Sequence, residues 1–313
     1  MPEITTAPSP LASSLAILDY TGRVYRQNTL KQTVVFFFRS FWQFGLSSRW
    51  FTFIEAFSHR HGLGTPPLEL VRKAFGAYFT LGLPLAAREA LLEDHYRIAA
   101  DHVPVALLRD LWTGTDIRLG TVDGKKDSYH VWLRRSDQCG TRHEGEWTAG
   151  FESAGTGEIL CRITFLLARG RDGVPTVVIG GLQGPGREVG KKALVTATRD
   201  LGGLRPKDAM LLVAAGLARA LGAQEMLAID NDSHPINYRA KRRRQRMLTD
   251  YDDYWRERGG EAGGPFGFIL PAKDPAEAEA GNRRRDEAKS AFFACGQRMA
   301  TGLGLSSEAP AGG

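Results

Sequence analysis

The sequence predicts an α+β protein, with a helical, aromatic-rich N-terminal region packed on a mixed, mostly antiparallel sheet. Three observations carry that prediction. Apolar residues keep a helical spacing through the first third of the chain and change to a strand-like period past Trp112. The short β-rich runs Tyr129–Arg134, Glu146–Phe151, Ile159–Leu167 and Thr176–Gly181 are separated by Gly, Asp and Ser clusters, which implies an antiparallel meander joined by hairpins. Beyond Gly181 a glycine loop leads back into helical sequence and then to further strands, an α+β order with ligand-binding loops at strand ends.

Taken in order, residues 1–14 are rich in Pro, Ser and Thr and read as a disordered N-terminus. Residues 15–110 form the helical region, 111–300 the α+β domain, and the Gly-rich residues 301–313 a disordered tail. Within the helical region, Leu30 to Phe57 is dense in Phe and Trp. Core-packing helices explain it, as do a greasy acyl-chain pocket or a helix lying on a membrane. Pro66-Pro67 breaks this section, and the helical stretches Leu68–Phe79 and Ala86–Ile98 follow. After the meander, Val189–Arg199 is one helix and Lys207–Leu221 a second, with Pro206 at its first position and Gly222 closing it. Met226–Ile229 gives another strand, and Phe266–Leu270, ended by Pro271, a further one.

With 313 residues, 42% hydrophobic and 24% charged, the chain has the composition of a soluble globular protein. A net charge of +6 favours anionic partners such as phosphates, nucleic acid or acidic lipids. Cys139, Cys161 and Cys295 lie far apart with no zinc-ligand spacing, so neither a structural zinc nor a disulfide framework is expected, and a reducing cytoplasm is the simplest location. Glu3 stands where a secretory n-region would be basic, and Arg39 interrupts the most apolar run before it is long enough to span a bilayer.

Candidate chemistry centres on Gln183-Gly184-Pro185-Gly186-Arg187, between a buried strand and a helix start. Backbone N–H groups freed in such a loop can hold a phosphate, and Arg187, Lys191 and Lys192 either complement the bound anion or form a solvated helix face. The loop is neither a P-loop nor a dinucleotide fingerprint. The polar segment Asp230-Asn231-Asp232-Ser233-His234 follows a strand end, where His234 is the natural base and Tyr238 an acid for proton transfer; a plain surface loop is the alternative. Glu144 and Glu146 alternate with Gly145 and Trp147, which on a strand puts both on one face. There they either meet a substrate amine, with Glu146 as a base, or mark an exposed strand end. Tyr251 and Trp255, in the acidic-aromatic segment Asp250–Trp255, join Glu144, Asp230, Asn231 and Asp232 as candidate substrate-binding residues. The basic run Lys241 to Arg246 either grips tRNA or anionic lipid, as a peripheral membrane contact, or is a solvated face. No aromatic series interleaves with it, which argues against sequence-specific nucleic-acid reading. Neither GxSxG nor HExxH occurs, so neither a serine hydrolase nor a metalloenzyme is expected, and no metal site is expected.

Several segments resemble, in order, the landmarks of the bacterial VirK/YbjX family: His95-Tyr96, His143 to Glu146, Ile179 to Gly184, Leu204 to Lys207, Tyr251 to Trp255, and Ile269 to Pro271. The resemblance spans about residues 60 to 275. It implies a Gram-negative cytoplasmic protein whose relatives are linked to virulence, envelope stress and survival of cationic peptides, without a settled chemistry. The chain departs from the pattern after Pro271, where Asn282-Arg283-Arg284-Arg285-Asp286 replaces a basic, serine-containing segment. The Gln183–Gly186 loop also resembles the first part of the pyrophosphate loop of the GCN5-related N-acetyltransferase fold, with Glu188 where that loop has Gly or Ala. That likeness implies transfer of an acyl or aminoacyl group to an amine of a peptide or small molecule. Acyl-CoA or aminoacyl-tRNA would be the co-substrate, with no tightly bound cofactor. The second expectation is a non-enzymatic envelope-stress factor that binds a membrane or a protein partner through its aromatic stretch and basic run.

Overall fold

The computed structural model describes residues 10–186, 189–238, 250–279 and 281–308. The chain divides into two units, one formed by Met1–Tyr78 with Leu83–Glu93 and the other by Phe79–Gly82 with Asp94–Gly313.

The first unit is helical: α1 (Pro10–Gln27), α2 (Leu30–Trp42), α3 (Phe44–His61), α4 (Leu68–Lys73) and the first half of α5 (Leu85–His102). Thr29 and Gln32 form a reciprocal capping box that starts α2, and Gly62, in the left-handed region at φ 60°, ends α3. Ile17, Tyr20, Val24, Phe36, Trp50, Phe51 and Ile54 are buried, and the rings of Phe36 and Phe51 both pack edge-on against Phe75 at 5.9 Å. The core-packing expectation therefore holds for one half of the aromatic stretch only. Phe38, Phe41 and Trp42 are exposed. Helix α1 begins at Pro10, inside the stretch expected to be disordered, and α4 stops at Lys73 rather than reaching Phe79, which adopts a positive φ of 58°.

The second unit holds a nine-stranded mixed sheet in the order β7-β8-β6-β5-β4-β3-β2-β1-β9. After α6 (Val105–Thr113), the strands β1 (Asp116–Asp123), β2 (Ser128–Arg135), β3 (Trp147–Ser153), β4 (Ile159–Arg169) and β5 (Pro175–Gln183) form an antiparallel meander. Helices α7 (Lys191–Asp200) and α8 (Pro206–Ala220) cross over to β6 (Glu225–Ile229), which runs parallel to β5. A short helix α9 (Tyr251–Arg256) precedes β7 (Glu261–Gly264) and β8 (Gly267–Pro271), both antiparallel to their neighbours. The long helix α10 (Arg283–Thr301) packs on α8. Gly216 of α8 and Gly296 of α10 sit where a Cβ would collide with the Phe293 and Val213 carbonyls, so the two backbones meet closely.

The α+β class and the meander agree with the sequence reading. Strands β1, β7 and β9 (Ser306–Glu308) were not anticipated, and β9 pairs with β1 where a disordered tail was expected. The segment that departs from the family pattern starts α10: the Asn282 side chain caps the helix by accepting the Arg285 N–H. Among the described residues no helix is long and apolar enough to cross a membrane.

Candidate functional site

The two parallel strands come apart. β5 and β6 pair only at Val178 with Leu227 and Ile179 with Ala228. Beyond that point β5 runs on to Gln183 with β4 as its partner, while β6 stops at Ile229. Helix α9 caps the backbone groups in the opening. The Tyr251 hydroxyl accepts the Leu182 N–H at 3.1 Å and donates to the Leu182 carbonyl at 3.4 Å. The Trp255 indole donates to the Ile229 carbonyl at 3.0 Å. Two stacked aromatic side chains of one helix thus satisfy the polar groups that a continued strand pair would have used.

Glu144 lies over this end of β5. A Cβ at Gly180 would collide with the Glu144 carbonyl, and one at Gly181 with the Glu144 carboxylate. The double glycine is required for close approach, but by the chain's own loop. The carboxylate accepts two hydrogen bonds from the Gln183 amide, at 2.8 and 2.9 Å, and its Oε1 stands 3.9 Å from His234 Nε2. His234 is 4% exposed and stacks on Tyr251 at 5.3 Å. Its Nδ1 accepts the Ile236 N–H at 3.1 Å, which in the neutral ring leaves the proton on Nε2, facing the carboxylate. Burial lowers the His234 pKa to about 4, so the ring is neutral at pH 7. The Phe79 N–H donates to the His143 carbonyl at 2.8 Å and the Leu81 N–H to that of Ser233 at 2.7 Å, so one short segment stitches the glutamate loop to the histidine loop.

The polar loop before His234 is largely structural. Asp230 accepts the Ser233 N–H at 2.7 Å. Asn231 accepts the Tyr251 N–H at 2.9 Å and donates to Asp250 at 2.8 Å, while Asp252 accepts the Asn231 N–H at 2.8 Å. These bonds latch the loop to the start of α9. Asp232 is exposed, and its carbonyl accepts from Asn237 at 2.8 Å.

On the other side of Gln183 the chain borders a cleft of about 500 Å³. Leu160, Pro185, Leu194, Val195 and Pro206 give it an apolar wall, and Gly184, Thr198, Arg199, Arg205, Lys207, Tyr254, Arg258 and the carboxylate Glu257, which pairs with Arg258 at 2.9 Å, complete it. Arg258 is committed: it pairs with Asp208 at 2.7 Å and lies 3.4 Å over the Tyr254 ring. Burial lowers the pKa of Lys207. Arg199 and Arg205 are exposed and have no carboxylate partner among the described residues. Apart from Gly184 and Pro185 of the glycine loop, the sequence reading did not name these cleft residues as a site. The available signal was the Arg205-Pro206-Lys207 helix start and the four-residue spacing of Tyr254 and Arg258.

The family described as "Protein of unknown function (DUF535)" matches residues 26–289. The chain belongs to this family, the VirK/YbjX family. It is similar to the "Uncharacterized protein YbjX" of Escherichia coli (strain K12), at 25% identity over 300 residues that cover 91% of this chain and 88% of that one. No solved structure matches. The VirK/YbjX landmarks converge in space: the glutamate loop, the double glycine with Gln183, and Tyr251 with Trp255 all meet at the end of β5.

Of the residues predicted from sequence, the structure brings together Glu144, Gln183, His234, Tyr251 and Trp255, with Gly184 on the adjoining cleft. The Gly186 carbonyl accepts the Val189 N–H at 3.2 Å in the turn before α7. Lys191 and Lys192 open α7 and are exposed, but neither lines the cleft. Glu146 does not share a face with Glu144: it is 3% exposed and accepts the Tyr96 hydroxyl at 2.7 Å. Arg187, the Tyr238 side chain and the basic run 241–246 lie outside the described residues.

Proposed function

We propose that this protein is a cytoplasmic transferase that moves an acyl or aminoacyl group from a phosphate-bearing donor to an amine of a peptide or small molecule. The observation that supports it most is the separation of the parallel strands β5 and β6 beside a cleft that is apolar on one wall and carries Arg199 and Arg205, which have no carboxylate partner among the described residues. In open sheets, ligands bind outside the carboxyl ends of parallel strands where neighbours part company. The apolar wall suits an acyl chain or the arm that carries it, and Arg199 and Arg205 suit the donor's phosphates.

In the proposed reaction the amine nitrogen attacks the acyl carbonyl. A C–N bond forms, the C–S or C–O bond to the donor breaks, the ammonium proton goes to a base, and the leaving thiolate or alkoxide gains a proton. Glu144 is the better base than Glu146, which the Tyr96 hydroxyl already occupies. His234, with a lowered pKa, is a weak base at neutral pH, and its Nε2 lies 3.9 Å from the Glu144 carboxylate, beyond hydrogen-bond distance, so it borders that carboxylate without binding it directly. Gln183 holds that carboxylate in place and links it to the Gly184 end of the cleft. Catalysis would rest on positioning and proton removal.

A thermal-shift series with coenzyme A, acyl-coenzyme A thioesters and aminoacyl-tRNA tests this reading. A true donor at a hundred times its Kd stabilises the fold by about 2.7 kcal/mol, and the Arg199→Glu/Arg205→Glu double variant should lose most of that gain. Absence of a shift with every donor removes the proposal.

A further inference from the structure

Helix α2 has two apolar faces. Thr33, Phe36 and Ser40, at i, i+3 and i+7, form its buried side. On the adjoining side Leu30, Val34, Phe37, Phe38 and Phe41 recur at i, i+4, i+7, i+8 and i+11, with Phe37 half-buried at the edge, and Trp42 follows at the helix end. Phe38 is 65% exposed, Phe41 60% and Trp42 91%. Ring contacts at 5.7, 6.1 and 6.3 Å join Phe37, Phe38, Phe41 and Phe44 into one continuous aromatic surface. Helix α1 carries a second exposed apolar stripe, Leu11, Leu15 and Leu18, again at helical spacing. A single exposed aromatic needs no explanation, but a ladder of them on the solvent side of a helix marks a surface that is covered in use.

Charge indicates what covers it. From Leu30 to Ile54 the charged residues are Lys31, Arg39 and Arg49, with no Asp or Glu. Arg49 is tied to Glu89 at 2.7 Å, while Lys31 and Arg39 are exposed on α2 itself. Exposed Phe and Trp on one arc with cations alongside, and no acid, match the interface between headgroups and acyl chains of an anionic bilayer, where aromatic rings and Lys or Arg are both favoured. We infer that α2 lies on an anionic lipid surface through the Leu30–Trp42 arc and holds this protein there as a peripheral membrane protein. The inference stands apart from the transferase reading, since it uses no residue of that site.

Co-sedimentation of the full chain with vesicles tests it, comparing phosphatidylcholine containing phosphatidylglycerol with phosphatidylcholine alone. Binding to the anionic vesicles is expected, with much less to the neutral ones. The Phe38→Asp/Trp42→Asp variant should reduce the partition coefficient at least about tenfold. The Lys31→Glu/Arg39→Glu variant should reduce it at least about fivefold at low salt. These side chains are exposed, so unchanged circular dichroism and thermal midpoints are expected and exclude misfolding as the cause. The inference is overturned by lack of vesicle binding, by equal binding to both lipids, or by binding that survives the aspartate changes. It is equally overturned if light scattering finds a dimer that the aspartate variant dissolves while vesicles fail to bind, because the surface would then belong to a second copy.

Discussion

Glu144 and Glu146 are two residues apart and sit in opposite surroundings. Glu146 belongs to the core: its carboxylate takes the Tyr96 hydroxyl, and its N–H bonds the Phe165 carbonyl at 2.9 Å. Glu144 is partly open and rests on two glycines, with an amide on one side and a neutral imidazole on the other. Gly145 separates these fates. Its φ of 155° and its approach to the Phe165 backbone, where a Cβ would come within 2.5 Å of the carbonyl oxygen, break the strand alternation that would have put both carboxylates on one face. A residue without a side chain thus turns two similar acids into a structural carboxylate and a candidate reactive one.

The sharpest way to break this arrangement is to fill the space under Glu144. Gly180→Ala pushes against the Glu144 backbone, which cannot move without dislodging the loop, whereas Gly181→Ala pushes against the end of a side chain. Gly180→Ala should cost about 3 kcal/mol and Gly181→Ala about 1 kcal/mol, read from denaturant midpoints at constant m. Equal costs would mean that the loop does not sit on β5 as described.

Next in size is the effect of pH through His234. Its folded pKa is about 4, below the ordinary histidine value of 6.5. Above pH 6.5 both states hold a neutral ring and the full stability is present. As pH falls from 6.5 to 4 the unfolded chain binds a proton that the folded one refuses, so stability drops by up to about 3 kcal/mol. His234→Gln should flatten that part of the stability profile, and an unchanged slope would show that the imidazole is better solvated than its burial implies. On the structural side, Tyr96→Phe strips a donor from the buried Glu146 and should cost about 2 kcal/mol while leaving donor binding untouched, which denaturation and thermal-shift measurements resolve separately.

Strands β2 to β5 of the meander were legible in the sequence because their β-branched and aromatic runs are bounded by turn residues. Strand β1 was not legible: Asp116–Asp123 carries an Arg and two Asp, and its Gly120 looks like a breaker. In the fold, a Cβ at Gly120 would collide with the Arg298 guanidinium, which donates to the Leu119 carbonyl at 2.9 Å, a contact that no local pattern announces. The same limit applied at the site. Glu144, Gln183 and His234 each drew notice on their own, but their convergence depends on contacts between residues 39 or more positions apart. The two glycines near the end of β5 meet a real requirement for bare backbone. It was the Glu144 loop, far off in the sequence, that filled the space. Tyr251 and Trp255 were noticed through the family likeness, since aromatic residues in an acidic segment do not by themselves announce that they will cap two diverging strands.

The smallest expected change in stability is also the most informative about function. Glu144→Gln keeps the shape of the side chain and one acceptor for the Gln183 amide, and the group is partly exposed, so it should shift stability by less than about 1 kcal/mol. If Glu144 removes the proton from an attacking amine, the same change should lower turnover about a hundredfold or more, the range of general-base catalysis. The loss should be in kcat rather than in donor affinity, because the cleft with Arg199 and Arg205 is intact. A Glu146→Gln variant should do the reverse, disturbing the fold through Tyr96 with little specific effect on turnover per folded molecule. Should both variants lose activity only in proportion to lost fold, the two acids would be equivalent structural residues, and the difference created at Gly145 would be one of packing alone.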